Sequence, residues 1–362
     1  TENNGRLIIN KPIIDHCRRN GIAIGSGKYV EINDAIIKRI DGTAPKAAID
    51  IEPEGNITAP ILERVVINNL QTEDCFAGIS VNLGAISNRE LTTDIRINGH
   101  TDNRSAYGYL QFQIPGKIQG AITVNDPQYN QNAVCGINII DPRPSTPKIQ
   151  LVRPIVVDCN TNGNSALKDG SGISIYATSD LTTNEAMGRV DIIEPTFSDT
   201  RTTAKMLRPI YVQNQKTVNP NVVNVNVINP KEIYYVSQPP YLGLFGNCRV
   251  VDELEQVRCT TNFPTLEVNA FAFFKSFSNE KATQTITYKL GSDYPEDCDV
   301  TFNVFANFGI TILPQPNQNI LPISIVNGKS ISTTAVGSSI TLRRRGNAWF
   351  IVGMTGTWNV AP

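Results

Sequence analysis

Asp50 and Glu52, in the run Ile49-Asp50-Ile51-Glu52-Pro53-Glu54, are the residues whose types and spacing come closest to chemistry. In an extended strand Ile49 and Ile51 face one way and the two acids the other, with their Cα atoms about 6.5 to 7 Å apart. Glycosidic hydrolysis uses two carboxylates flanking a bond, roughly 5 to 5.5 Å apart for retention of configuration and 6.5 to 9.5 Å for inversion. The Cα spacing does not choose between them. Mutual repulsion on a partly enclosed surface raises one pKa, so that one group serves as general acid while its neighbour stays ionised as base. The plainer alternative is solvated charge on an exposed strand. Competing acids are Glu73 with Asp74, Asp102 with Arg104, Asp158, and Asp191 with Glu194.

What must position such a pair is a repeat. Val65-Val66-Ile67-Asn68, an apolar strand closed by a polar residue, leads through a polar turn to a small residue and an alternating strand, Gly78-Ile79-Ser80-Val81. The same grammar links Ile13–Asp15 to Gly21–Ile24, Ile36–Lys38 to Ala48–Ile51, Ile95–Asn98 to Gly108–Leu110, Ile122–Asn125 to Gly136–Ile139, and Ile155–Asp158 to Gly172–Ile175. Fainter copies run from Asp191–Glu194 to Pro209–Val212 and from Val225–Asn229 to Ile233–Val236. The closing residue falls at 15, 38, 68, 98, 125, 158, 194 and 229, an irregular period suited to a solenoid whose insertions lie in turns. The shortest spacing, roughly 23 residues, is about the least that three short strands and their turns can occupy. Period-2 alternation and an abundance of Ile, Val and Thr select β over helix. Stacked coils about 4.8 Å apart then form parallel sheets around a continuous apolar core, and eight coils span about 38 Å.

Alternation places further polar residues on the face that carries Asp50 and Glu52. Ala23 lies one coil earlier; Ser80 and Asn82 follow, then Gln111 and Gln113 beside Tyr107 and Tyr109, with Tyr176 and Tyr211 further along. Amides, hydroxyls and rings of this kind suit a sugar chain. By contrast the column Asp15, Lys38, Asn68, Asn98, Asn125, Asp158, Glu194, Asn229, half of it Asn, is expected to be a hydrogen-bonded ladder at one corner of the stack.

Composition removes several classes. A formal charge of −1 argues against a basic nucleic-acid surface, and no apolar run approaches a membrane span or a signal peptide. Seven cysteines without CxxC spacing fit buried reduced thiols, with a Cys248–Cys259 disulfide as the open alternative. With only His16 and His100, a His-rich zinc site or a His-based triad has few options, and His100, within Asn98-Gly99-His100-Thr101-Asp102, is expected to be a solvated turn residue. No metal or cofactor is implied. The chain opens at Thr1 inside a repeat, and the expectation is a fragment.

Near Val236 the grammar changes. Ser237-Gln238-Pro239-Pro240-Tyr241 cannot continue a parallel ladder, because proline lacks the donor, so 237–262 is expected to be a connector after a solenoid spanning 1–236. From 263 to 362 short aromatic and β-branched strands, separated by Gly, Asn and Pro turns, predict a small antiparallel β-sandwich or jelly roll. Arg343-Arg344-Arg345 alternates between faces, which favours a solvated strand end or an ion pair over a binding patch.

A parallel solenoid followed by a small sandwich ending in Gly346-Asn347-Ala348-Trp349-Phe350-Ile351-Val352-Gly353-Met354-Thr355-Gly356-Thr357-Trp358 resembles the distal part of a bacteriophage tailspike or tail fibre. The solenoid pattern is shared with pectin-degrading enzymes; the terminal segment is the more specific part. The resemblance implies a right-handed β-helix, a homotrimer assisted by the C-terminal domain, a place on the virion, and a groove that binds and often cuts bacterial capsule, exopolysaccharide or lipopolysaccharide. Two functions of different class follow. One is a depolymerase, with Asp50 and Glu52 as catalytic pair and Tyr107, Tyr109, Gln111, Gln113, Asn82 and Tyr176 as substrate contacts. The other is a non-catalytic receptor-binding spike using the same amides and tyrosines. A lyase ranks below hydrolysis, since no clustered Asp set offers a calcium site.

Overall fold

The computed structural model describes residues 5–53, 61–113, 116–177, 187–213, 223–235, 249–251, 258–261, 265–268, 276–280, 282–291 and 297–360. Its contacts divide the chain into two units, Thr1–Thr196 with Lys205–Ile228 and Gly246–Val251, and Phe197–Ala204 with Asn229–Phe245 and Asp252–Pro362. Glu54, Cys248 and most of the expected connector lie outside the described residues.

In the first unit the chain visits three sheets in turn. Arg6–Asn10 enters the first, Ile13–Asp15 the second and Ile22–Ile24 the third; Gly27–Asn33, Ile36–Lys38 and Ala47–Ile51 repeat the circuit. Each strand pairs in parallel with its counterpart one circuit later, as in Val65 with Ile95 and Ile79 with Tyr109. The result is all-β with parallel stacked sheets, an arrangement that fits a β-helix with three strands per coil. The core is the stacked inward column, such as Ile32, Ile67, Ile97, Val124 and Leu151, all fully buried. Chain length varies in the connections into and out of the third sheet, while the corner from the first sheet to the second stays nearly constant, which explains the uneven period.

Two tight corners shape each coil, and both depend on a left-handed residue. After the first-sheet strands these are Lys11, Asp34, Asn69, Gly99, Asp126 and Arg153; after the second-sheet strands they are His16, Arg39, Asp74, Arg104, Gln131 and Asp158. Most are Asn, Asp, Gly or long polar residues, which reach this region at least cost or point freely to solvent. The residue that follows turns inward. At the first corner this column holds Ala35, Leu70 and His100, all fully buried.

The asparagine ladder exists, and of the expected column Asn68, Asn98 and Asn125 belong to it, joined by Asn10 and Asn33. Nδ2 of Asn33, Asn68, Asn98 and Asn125 donates to Oδ1 of Asn10, Asn33, Asn68 and Asn98 in turn, each at 2.8 Å. Asp15 and Lys38 belong instead to the second sheet, where Asp15 pairs in register with Lys38 and Lys38 with Glu73. Asp158, Glu194 and Asn229 are left-handed corner residues with φ of 53°, 52° and 45°. The sequence column thus merged two corners. The cause is the second-sheet strands Gln71–Glu73, Thr101–Asn103 and Gln128–Asn130, which are three residues long and mostly polar, so they leave no hydrophobic periodicity.

The second unit is mixed rather than wholly antiparallel. Arg258–Thr261, Ser276–Ser278 and Asp299–Asn303 pair in parallel, as do Thr265–Val268, Ile286–Leu290 and Ile310–Leu313. Antiparallel pairing enters with Ile331–Thr333 and Ser339–Arg345, the latter forming a hairpin with Ala348–Thr355. These mixed sheets fit a β-sandwich. Its core stacks Phe277 on Phe302 at 5.4 Å with Tyr288 tilted against both, and Trp349 is buried with Nε1–H donating to Gln318 Oε1 at 3.0 Å. Arg343 and Arg345 are spent on ion pairs with Asp299 and Asp297.

Candidate functional site

The outward face of the third sheet is where the predicted pair lies. Asp50 and Glu52 leave Ala47–Ile51 opposite the buried Ile49 and Ile51, as alternation requires. Asp50 is only 3 % exposed, whereas Glu52 is half-buried. Asn20 Nδ2 donates to Asp50 Oδ2 at 2.9 Å, and Asn82 Nδ2 to Glu52 Oε1 at 2.9 Å, so Asn82 holds the second acid. Burial pushes the Asp50 pKa up to about 6, the charge of Glu52 adds to it, and Ser80, Asn20 and Arg19 offset part of the rise. One acid therefore keeps its proton into a range where an ordinary carboxylate has lost it.

Next to the pair, along the same sheet, is a groove of about 380 Å³. Register aligns Asp50 with Ser80, then Leu110, Asn138, Ser174 and Tyr211 in one column, and Asn82 with Phe112, Ile140 and Tyr176 in the next. Ser80, Leu110, Phe112, Asn138 and Ile140 line the groove, Phe76, Tyr107 and Tyr176 add rings, and Ala44 to Lys46 contribute a wall. Phe76 and Tyr107 meet edge to face at 5.4 Å. Burial raises both the Tyr107 and Tyr176 pKa values, and the Asn138 side chain acts on both hydroxyls. Asp50 and Glu52 do not line this cavity; Asp50 stands one strand from Ser80.

Three expected contacts point the other way. Tyr109 and Gln111 align with the inward Ile79 and Val81 and are fully buried, with Tyr109 O–H donating to Gln111 Oε1 at 2.5 Å. Gln113 is buried too, and its Nε2 faces the Pro147 carbonyl at 3.4 Å. Alternation counted from the small residue gives this result: Gly108 sits where Gly78 sits, so Tyr109 must lie beneath Ile79. Assigning polar residues outward by type alone misplaces them. Aligning Gly78, Gly108, Gly136 and Gly172 would also have found Leu110, Phe112, Asn138 and Ile140.

His100 and Asp102 are not surface groups either. Both are fully buried in the solenoid interior. The Thr72 hydroxyl lies 2.9 Å from His100 Nε2 and donates to Asp102 Oδ1 at 2.5 Å; Ser105 donates to the same oxygen at 2.6 Å and Asn132 Nδ2 to Oδ2 at 2.6 Å. Burial lowers the His100 pKa to about 3 and raises that of Asp102 to about 6. A histidine, a hydroxyl and an acid meet here, yet sealed from any polymer. Of the remaining acids, Glu73 and Asp74 are bound by Arg104, Glu73 also by Lys38 at 2.6 Å, and Asp191 by Lys148 at 2.7 Å.

Compared with protein-family models, with curated proteins and with solved structures, the chain matches none.

Proposed function

We propose that this chain is a tailspike-type protein that binds a bacterial surface polysaccharide along the third sheet and cleaves it by glycosidic hydrolysis. One observation carries the reading: an aromatic-lined groove adjoins two carboxylates whose environments differ, Asp50 buried with its pKa at about 6 and Glu52 half-buried beside it. Sugar rings stack on aromatic faces, and a protonated acid next to an ionised one is the division of labour that glycoside hydrolysis needs. Asp50 is the general acid, donating its proton to the leaving oxygen. Glu52 activates water or attacks the anomeric carbon. The resemblance of Gly346 to Trp358 to the ends of phage fibres supports a virion protein acting as a homotrimer at the cell surface.

A second reading, receptor binding without cleavage, is favoured by the position of the pair outside the groove and by the 3 % exposure of Asp50. Release of new reducing ends from capsular and lipopolysaccharide preparations separates the two. Cleavage by the wild type and its loss in folded Asp50→Asn or Glu52→Gln supports hydrolysis at this pair. Cleavage retained in both variants moves the site elsewhere, and reversible binding with no new chain ends establishes the receptor reading.

A further inference from the structure

Asn138 is the one lining residue whose surroundings leave a specific demand unmet. It is 1 % exposed, its Oδ1 accepts no hydrogen bond from any protein group, and its side chain lies where the groove column passes from Leu110 to Ser174. A buried carbonyl oxygen without a donor costs free energy, so such a group inside a groove marks what a ligand must bring. Around it the walls are apolar, with Leu110, Ile140 and Phe112 close by and the rings of Tyr107 and Tyr176 packed on the same cluster. Lys46 is the one charged residue in the lining, and Asp169 is close enough to both tyrosines to act on their pKa values.

A plain hexose would offer Asn138 a hydroxyl but would press further hydroxyls against Leu110 and Ile140, at a cost in desolvation. An acetamido group supplies the two missing features together, an N–H donor and a methyl, within one planar unit. Charge does not select the occupant, because Asp50, Glu52 and Asp169 stand outside the lining, Lys46 is part of it, and Lys168 Nζ lies 5.7 Å from the Tyr176 ring centroid. Resting on the polysaccharide reading above, we infer that the groove is a subsite for a 2-acetamido sugar, its N–H donating to Asn138 Oδ1 and its methyl lying against Leu110 and Ile140.

The test is calorimetric titration of the full chain with tetrasaccharides that differ in this group, N-acetylglucosamine and N-acetylgalactosamine oligomers against glucose, galactose and rhamnose oligomers, in wild type, Asn138→Leu and Asn138→Asp. Expected is binding of an acetamido oligomer at least about tenfold tighter than its hexose counterpart. Asn138→Leu weakens it about fivefold to tenfold, the worth of one hydrogen bond. A structural role for Asn138 would instead lower the melting temperature of Asn138→Leu; the ligand role leaves it within a few degrees of wild type. Equal binding of hexose or rhamnose oligomers, no binding of any oligomer, or wild-type affinity in folded Asn138→Leu would each overturn the assignment. Cleavage of a polymer free of acetamido sugars would overturn it while leaving the hydrolase, whereas acetamido binding without any cleavage would leave the subsite and remove the hydrolase.

Discussion

Asn20 Nδ2 grips one oxygen of the Asp50 carboxylate at 2.9 Å, while the other oxygen has no hydrogen bond of good geometry. This half-satisfied acid is what burial and the neighbouring Glu52 hold in its protonated form to about pH 6. Because the folded-state pKa is raised, the native chain keeps a proton that the unfolded chain releases between about pH 4 and 6. Stability due to this group therefore falls as pH rises through that window. Asp50→Asn should remain folded and gain on the order of 2 kcal/mol over wild type at pH 8, with no gain at pH 4. Urea unfolding at the two pH values checks it, and a constant difference between them would sink the argument.

Cleavage should follow the same titration in the opposite role. With Asp50 as general acid, turnover declines above about pH 6 as the proton is lost. Asp50→Asn should lose about 10² to 10⁴-fold in kcat. A pH profile that stays flat from pH 5 to 8 would remove Asp50 from the acid's role.

Asp102 answers to packing instead. It accepts hydrogen bonds from Thr72, Ser105 and Asn132 in the interior, so Asp102→Ala strands three buried donors and should cost about 3 kcal/mol or more. Asp102→Asn keeps the shape but offers an N–H to groups that already donate, and should fall between the two. Thermal melts of wild type and both variants provide the comparison. Polymer cleavage measured per folded molecule should not change in either variant.

The asparagine ladder gives a fourth expectation. Asn98 donates to Asn68 and accepts from Asn125, so Asn98→Ala removes two side-chain hydrogen bonds at a half-buried corner. The loss should be about 1 to 2 kcal/mol. Asn125, which ends the described run, makes one such bond, and Asn125→Ala should cost less than Asn98→Ala in the same melt.

Gly108 cannot carry a side chain. A Cβ there would land on the Tyr129 ring, which is itself fixed by burial and by edge contact with His100 at 5.2 Å. Gly108→Ala should destabilise by about 1 to 3 kcal/mol through overpacking. The double variant Gly108→Ala with Tyr129→Leu should recover part of this, and failure to recover would point to a backbone cause.

The repeat itself was legible in the residues. Ile49, Ile79 and Ile137 alternate with Asp50, Ser80 and Asn138, and that alternation alone dictates stacked β-strands with the two acids on the outer face. Gly78, Gly108 and Gly136 each stand second in a third-sheet strand, and the asparagines announce a ladder. Only the tertiary structure decided which corner each residue serves. The second-sheet strands are too short and polar to show in a pattern, so Asp15 and Lys38 joined a column that belongs to Asn10 and Asn33. Burial was likewise settled in three dimensions. Tyr109, Gln111, His100 and Asp102 have polar types that predict exposure, yet register places them inside, where Thr72, Tyr129 and Asn132 of other coils meet His100 and Asp102 while Tyr109 and Gln111 bond each other. A groove of Leu110, Phe112 and Ile140 beside Tyr107 and Tyr176 arises from residues about 30 positions apart that meet because successive coils stack roughly 4.8 Å from one another.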